Sequence, residues 1–225
     1  MPVSFHHKYR HLMRAVKVKV NAKPSVDWSD HAELLDRWGK DAVWNEAGNL
    51  LSDCQGAVLD IGCGTGATMQ FLSDLPGLEL HGCDLSPSLI NKCHDRGIPA
   101  ERLKVCDLKK LTIYPTDSFD CTYSIGVAHY IKKRDLQSFV AELARITRRI
   151  SFHFVPVSLS TKNEGWIADW HTFQNNSAQW WIEVFKKKFP SVHTRDSAWS
   201  NNPWSAGQWF ICFKSENMVA HRRRF

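Results

Sequence analysis

The stretch VLDIGCGTG, residues 58–66, joins an apolar run that contains Asp60 to three glycines within five positions. The apolar part predicts a buried strand, and the glycines predict that the strand ends in a tight loop. Gly62, Gly64 and Gly66 carry no Cβ, so the backbone can turn sharply there and pass close to a ligand. A helix that follows such a loop directs unpaired N–H groups toward an anionic part of the ligand.

Strand and helix patterns alternate along the chain after this motif. The predicted strands are residues 56–62, 78–85, 101–108, 118–127, 150–157, 191–199 and 208–214. The predicted helices are residues 65–75, 86–96, 134–149 and 177–189. The alternation is typical of βαβ units. It predicts an α/β fold with a doubly wound, Rossmann-like, seven-stranded and mostly parallel sheet, helices on both faces and an antiparallel C-terminal strand.

The chain divides into three predicted segments. Residues 1–28 form a basic N-terminal arm, residues 29–214 form one domain, and residues 215–225 form a basic C-terminal tail. In the arm, apolar and basic residues alternate from Ala15 to Val20, which predicts a short edge strand or an extended arm.

Two helices are predicted between the arm and the first strand of the sheet. Leu34, Leu35 and Trp38 lie on one face of the first helix, which Ser29 or Asp30 can cap. Apolar residues at helical spacing predict the second helix over residues 43–51.

Composition excludes several classes of protein. The chain has 225 residues and 43% hydrophobic content, and it contains no apolar run of roughly 18 residues that could span a membrane. No apolar stretch typical of a secretory signal occurs near residue 1. The seven cysteines are scattered and show no C-x-x-C spacing, so we expect buried thiols, no metal site and a cytoplasmic location.

The net charge of +6 is concentrated at the two ends of the chain. Residues 1–29 carry six basic residues against Asp27, whereas residues 54–130 carry six basic against nine acidic residues. A nucleic-acid partner is therefore not expected, because it would favour a basic surface on the domain itself. The basic ends are read as solvated arms, with contact to an anionic membrane face or an acidic partner as the alternative.

Three aspartates follow or end successive predicted strands. Asp60 precedes the glycine loop, Asp84 ends the second strand, and Asp107 ends the third. Because ligands bind beyond the carboxyl ends of such strands, these carboxylates can receive a cationic amino group, two ribose hydroxyls and an adenine amine, respectively. The glycine spacing is G-x-G-x-G and not the G-x-G-x-x-G of dinucleotide sites, which disfavours nicotinamide chemistry.

With these motifs in order, the sequence resembles the small, single-domain class I S-adenosylmethionine-dependent methyltransferases. The resemblance rests on VLDIGCGTG, GCDLSPSLI, KVCDL and FDCTYSIGVAHYI, and it covers roughly residues 40–155. It implies S-adenosylmethionine as the cofactor and a set of residues that bind it. That set is Asp60, Gly62, Cys63, Gly64, Thr65, Gly66, Asp84, Leu85, Asp107, Leu108, Ser124 and Ile125.

Within that set, the resemblance implies particular roles. Asp60 would line the methionine end, Asp84 the ribose and Asp107 the adenine, and Ser124 and Ile125 would pass near the sulfonium. Two features depart from the family. The sequence ITRRI replaces the usual Pro-Gly-Gly turn before the fifth strand, and Ala128 stands where related enzymes often have Glu before the histidine.

Two histidines are the candidate catalytic residues. Methyl transfer to a hydroxyl benefits from a base that titrates near neutral pH, which favours His. His129 follows the fourth strand, and His171 lies after the fifth, where Asp169 could orient it. A packing or loop role is the alternative for each. Tyr130 is a further hydroxyl near the site, with a core role as its alternative.

Aromatic residues after the fifth strand suggest where an acceptor could stack. Trp166 and Trp170 are predicted in a loop, where a sugar or another ring could contact them. Trp180 and Trp181 are predicted to pack a helix against the sheet instead.

The sequence favours a methyltransferase that acts on a small molecule or glycan, with O-methylation as the expected reaction. An RNA or protein methyltransferase whose basic ends grip the partner is the first alternative. A nucleoside-binding module without catalysis is the second. No oligomeric state is predicted.

Overall fold

A seven-stranded sheet organises the computed structural model, which describes residues 16–17, 27–168, 172–200 and 203–216. The strands are β1 (Val16–Lys17), β2 (Gly56–Ile61), β3 (Leu78–Asp84), β4 (Leu103–Val105), β5 (Phe119–Ile125), β6 (Thr147–Ser158), β7 (Trp166–Ala168), β8 (Thr172–Gln174), β9 (Ser191–Asp196) and β10 (Ser205–Phe213). The main sheet has the order β4-β3-β2-β5-β6-β10-β9. The first five strands in this order, from β4 through β3, β2 and β5 to β6, are parallel. Strand β10 runs antiparallel to both β6 and β9. This confirms the predicted sheet.

Helices cover both faces of the sheet, as predicted. They are α1 (Ala32–Leu35), α2 (Val43–Leu51), α3 (Ala67–Leu72), α4 (Pro87–Asp95), α5 (Lys133–Ile146) and α6 (Ala178–Lys186). Apolar side chains of α2, α3 and α4 pack on one face, and those of α5 and α6 on the other. Because the central strands are buried on both faces, only their ends can reach a ligand.

The first predicted helix is much shorter than expected. Helix α1 ends at Leu35, and turns continue to residue 42, so that Trp38 lies outside the helix. Gly39 has a φ of +78°, a backbone conformation that ends a helical path and that glycine adopts without strain. The apolar spacing that predicted a longer helix reflects side chains that face a cavity, described below.

The chain passes from α5 into β6 without a loop. Helix α5 ends at Ile146 and β6 begins at Thr147, whose side chain is buried. This direct junction replaces the Pro-Gly-Gly turn of related enzymes, in agreement with the expectation that the turn is built differently here.

The region after β6 was predicted as a loop and is instead partly a small sheet. Strands β7 and β8 are antiparallel, and β1 pairs with β7 through Val16↔Ala168 and Lys17↔Ile167. The predicted strand in the arm is therefore confirmed at these two residues. Asp169, Trp170 and His171 lie outside the described residues.

A chain of buried hydrogen bonds joins β5 to β6 on the face covered by α5 and α6. The His153 ring lies 2.8 Å from Ser124 Oγ through Nδ1 and 2.7 Å from Ser151 Oγ through Nε2. Ser151 Oγ in turn lies 2.5 Å from Thr122 Oγ1. The ring stacks on Phe185 at 4.8 Å, and burial lowers the pKa of His153 to about 3. The imidazole is thus held neutral and bonded on both sides.

We predict that His153 makes the protein sensitive to acid. Its pKa is lower in the folded than in the unfolded chain, so its contribution is complete above pH 6.5 and is lost as pH falls toward 3. The free energy of unfolding, measured by urea denaturation, should drop by about 2 kcal/mol more between pH 7.5 and 4.5 in the wild type than in His153→Gln.

The exposed His193 on β9 provides the matched control. The variant His193→Gln should keep the wild-type pH dependence. An unchanged slope in His153→Gln would show that the buried ring does not govern acid unfolding.

Candidate active site

A cavity of about 810 Å³ opens at the carboxyl ends of the parallel strands. Residues at or just after the ends of β2, β3, β4 and β5 form part of its lining: Gly62, Gly64, Asp84, Asp107, Leu108 and Ile125. This is the edge where a doubly wound sheet binds its ligand. The glycine loop and two of the three predicted aspartates thus meet in one cavity.

Asp60 occupies a smaller hollow of about 50 Å³ beside this cavity. The two spaces share Gly62, Gly64 and Ile125 in their linings. Asp60 is 3% exposed and accepts a 2.9 Å hydrogen bond from the Tyr123 hydroxyl. Within the described part of the chain, no cationic side chain forms an ion pair with it.

The surroundings of Asp60 strongly affect its charge. Burial raises the pKa of this carboxyl to about 7, the Tyr123 hydrogen bond opposes that rise, and the charge of Asp84 adds to it. A buried carboxylate is stabilised by a positive charge at hydrogen-bonding distance. Asp60 therefore fits the cationic amino group of an amino acid.

The glycine loop leaves space that a larger residue would fill. Gly62 has a φ of +75°, and a Cβ there would lie 2.6 Å from the side chain of Val127. Gly64 has a φ of +55°, and its N–H donates to Asp84 at 3.0 Å. The loop is thus held against β3 and β5 by contacts that only glycine allows.

Asp84 and Asp107 both line the large cavity, where their carboxylates could accept hydrogen bonds from a nucleoside. Besides Gly64, the N–H of Ser86 donates to Asp84 at 3.0 Å. Burial raises the pKa of Asp84, and hydrogen bonds from backbone N–H groups oppose the rise. Asp107 accepts from the N–H of Lys109 and pairs with its ammonium at 3.2 Å. Both carboxylates keep lone pairs for hydroxyl or amine donors.

The position of Leu85 on the cavity wall accounts for its exposure. It is 66% exposed although it is large and apolar, and it lines the cavity together with Leu108. A planar base or a ribose that packs against these side chains would remove them from water.

Four other predicted residues lie around the loop but not in the large cavity. Cys63 and Thr65 border the small hollow, and Gly66 packs against Cys93 and Ile98 of the neighbouring helix region. The Ser124 side chain is fully buried and bonds to His153. These residues shape the loop and the end of β5, whereas their contact with a cofactor remains a prediction.

The segment from Trp28 to Trp38 contributes another part of the cavity wall. Trp28, Leu34, Leu35 and Trp38 all line it. Polar contacts fasten the segment, because Asp36 accepts from Thr65 Oγ1 at 2.5 Å and pairs with Arg96 at 2.6 Å.

His129 also lines the large cavity. It belongs to a short helical turn, Ala128–Tyr130, directly after β5, and it is 3% exposed. Its ring contacts Tyr130 at 4.0 Å and Phe173 of β8 at 5.7 Å between centroids. The structure thus places His129 and Tyr130 in the wall of the cavity, while His171 lies outside the described residues.

Several cavity residues were not predicted to belong to the site. They are Trp28, Trp38, Lys132, Phe173 and Trp199. No motif marks them, because they come from the N-terminal segment, the start of α5, β8 and the loop before β10, which only the fold brings together. By contrast Trp166, which was predicted to face an acceptor, is half-buried in β7 and is not part of the described lining.

The fold and this site define a class of protein, and comparisons with known sequences agree. A family described as "Methyltransferase domain" matches residues 58–149, from the glycine motif to the start of β6. Together with the strand-end carboxylates, the match supports the prediction of a class I S-adenosylmethionine-dependent methyltransferase.

Two curated relatives match at low identity. Methyltransferase-like protein 27 of Homo sapiens is 27% identical over 129 residues, which cover 49% of this chain and 52% of the relative. The tRNA (carboxymethyluridine(34)-5-O)-methyltransferase of Arabidopsis thaliana is 26% identical over 127 residues, which cover 56% of this chain and 30% of the relative. The matches thus span about half of the first protein's length and less than a third of the second's.

A solved structure supports the fold. Magnesium protoporphyrin IX methyltransferase from Synechocystis PCC 6803, crystallised with bound S-adenosylmethionine, superimposes with a TM-score of 0.60. The identity is 13%, and the match covers 86% of this chain and 87% of the other.

A metal site and a membrane-spanning helix are both absent from the described residues. No group of three or more His, Cys, Asp or Glu side chains in that part of the chain could hold a metal ion. In the same residues, no helix has the length and apolar character needed to span a membrane.

We predict that cofactor affinity rises with pH because of Asp60. Its raised pKa of about 7 means that the carboxyl is largely neutral below that pH, so it must lose a proton before it can pair with an ammonium. The Kd of S-adenosylhomocysteine, measured by calorimetry, should fall about 5–10-fold from pH 6 to 7.5.

Asp60→Asn should bind more weakly and show a nearly flat pH profile. Asp74→Asn, at an exposed position after α3, is the control and should keep the wild-type profile. A steep profile that persists in Asp60→Asn would assign the titration to another group.

Proposed function

We propose that this chain transfers a methyl group from S-adenosylmethionine to a hydroxyl group of a small molecule or glycan. The position of His129 carries the proposal: the ring lines the cavity that the glycine loop and Asp84 also line, and it follows directly on β5. A hydroxyl held between the cofactor loop and this ring would have a proton acceptor beside it.

The residues of the chain have separate tasks in this reaction. When bound, S-adenosylmethionine supplies a methyl group on a cationic sulfur; the acceptor oxygen bonds to that carbon, and the sulfur–methyl bond breaks with its electron pair left on sulfur. Asp60, Asp84 and Asp107 hold the two ends of the cofactor. His129 accepts the proton that the hydroxyl gives up, and the cavity walls align the acceptor.

The size of the cavity supports a small acceptor. Its volume is about 810 Å³, and the part of its wall between Trp28 and Trp38 is fastened through Asp36 to Arg96 and Thr65. A concave cavity of this size favours a molecule that fits inside it. An RNA or protein acceptor would need an open approach to the reacting atom.

An RNA acceptor is the second candidate, and two observations favour it. One curated relative is a tRNA methyltransferase, and residues 1–29 carry six basic residues against one acidic residue. In that case activity should fall steeply with salt, because phosphate contacts release counterions. A small uncharged acceptor should show little such dependence.

A cytoplasmic location belongs to the same proposal. It rests on the scattered cysteines, which show no spacing typical of a disulfide framework. Contact of the basic ends with an anionic membrane surface is a further part of it.

We expect kcat for a hydroxylated acceptor to depend strongly on His129. The assay measures S-adenosylhomocysteine released by the full chain with panels of phenols, glycosides, transfer RNA and protein extract. With the acceptor that reacts, His129→Gln should lower kcat about 100-fold, since general bases contribute at least that much. His94→Gln, at an exposed position on α4, should react like the wild type.

The outcomes separate the candidate functions. Release with transfer RNA alone would favour the second candidate. Binding of S-adenosylhomocysteine without release from any acceptor would favour a nucleoside-binding module. Full activity of His129→Gln with a hydroxylated acceptor would rule out the proposed base.

A further inference from the structure

Aromatic rings form much of the cavity wall near His129. Its lining includes Trp28, Trp38, Tyr130, Phe173 and Trp199. The rings contact one another: centroids lie 4.9 Å apart for Trp28 and Tyr130, and 5.7 Å apart for Trp38 and Trp199. The walls therefore offer ring faces and edges, which bind a flat apolar molecule well.

Trp199 adds a hydrogen-bond donor to these walls. It is 7% exposed, and its Nε1 has no hydrogen-bond partner among the described residues. Trp209, another buried indole, shows the usual arrangement, since its Nε1 donates to Glu46 at 2.8 Å. Trp181 also has an unpaired Nε1 but lies in the core under α6 and not on this cavity. Trp199 lines the cavity, so a ligand that brings an oxygen or nitrogen acceptor to this buried N–H would satisfy it.

The described polar groups around His129 are few. The uncharged ones are the His129 ring, the Tyr130 hydroxyl and the Trp199 N–H, while Lys132 and Arg134 begin the neighbouring helix α5. Arg134 is 76% exposed and lies 3.7 Å from Asp135, which places this charged pair at the mouth. A sugar carries a hydroxyl on most of its carbons and would bury several without partners, which disfavours binding.

We propose that the acceptor is a hydroxylated aromatic molecule with a second oxygen that accepts a hydrogen bond from Trp199 Nε1. This inference rests on the proposed function and narrows its substrate class. The ring of the acceptor stacks among the aromatic side chains, one hydroxyl faces His129, and the second oxygen faces Trp199. Trp199 contributes to the choice of acceptor, and it takes no part in the methyl transfer itself.

The test measures binding separately from turnover. Full-length protein saturated with S-adenosylhomocysteine is titrated with catechol, salicylate and 8-hydroxyquinoline, and in parallel with methyl glucoside and methyl fucoside. At least one aromatic probe should bind with a Kd below about 1 mM, and neither glycoside should bind at that concentration. Binding without turnover would support the inference even where the proposed catalysis fails.

The variant Trp199→Phe keeps an aromatic ring, and it removes the N–H donor together with part of the indole. It should weaken binding of the aromatic probe about 5–20-fold while the Kd of S-adenosylhomocysteine stays unchanged. Trp180→Phe, on α6 and outside the cavity lining, should bind the probe as the wild type does. An equal loss in both variants would point to a structural cause and overturn the role of Trp199.

Wild-type measurements provide an independent check in case Trp199→Phe does not fold. Glycosides that bind or react while every aromatic probe fails would overturn the inference and leave the proposed O-methylation standing. In two-dimensional NMR, the indole N–H signal of Trp199 should shift when the aromatic probe is added. A full shift on adding S-adenosylhomocysteine alone would assign this donor to the cofactor and contradict the inference.

Discussion

A buried carboxylate without a positive partner in the described residues is the constraint on which the site depends. Asp60 is held by Tyr123 under the glycine loop, and burial raises its pKa to about 7. Because the folded pKa is the higher one, stability falls as pH rises from about 3.8 to 7, by about 4 kcal/mol at most. A cofactor ammonium would recover part of that loss. The ionised Asp60 thus lowers the stability of the folded chain, at a position where a bound ammonium group could pair with it.

The neighbouring elements are arranged around the same point. Gly62 and Gly64 let the loop pass between β3 and β5, and the N–H of Gly64 fixes the Asp84 carboxylate. On the other side, the segment from Trp28 to Trp38 is tied to the loop through Asp36 and Thr65. The glycine loop therefore contacts both Asp84 and the segment from Trp28 to Trp38, so changes in the loop should affect both.

The parts of the structure that follow from local pattern could be predicted from the sequence. VLDIGCGTG and the strand-end aspartates locate the sheet and the cofactor half, since periodicity and strand order fix which edge binds. The acceptor half could not be predicted in the same way. Trp28, Trp199 and Phe173 come from distant segments, and only packing brings them to one cavity. The prediction that the first helix includes Trp38 was wrong, because Trp38 keeps helical spacing while it lines the cavity.

A crystal structure of the complex with S-adenosylhomocysteine tests the central claim most directly. We expect the amino group of the ligand to lie beside the glycine loop, within about 3.2 Å of a carboxylate oxygen of Asp60. We also expect the ribose hydroxyls on Asp84 and the adenine beside Asp107 and Leu108. A nucleoside bound in the reverse orientation, or outside the cavity formed at the ends of β2 to β5, would contradict the claim.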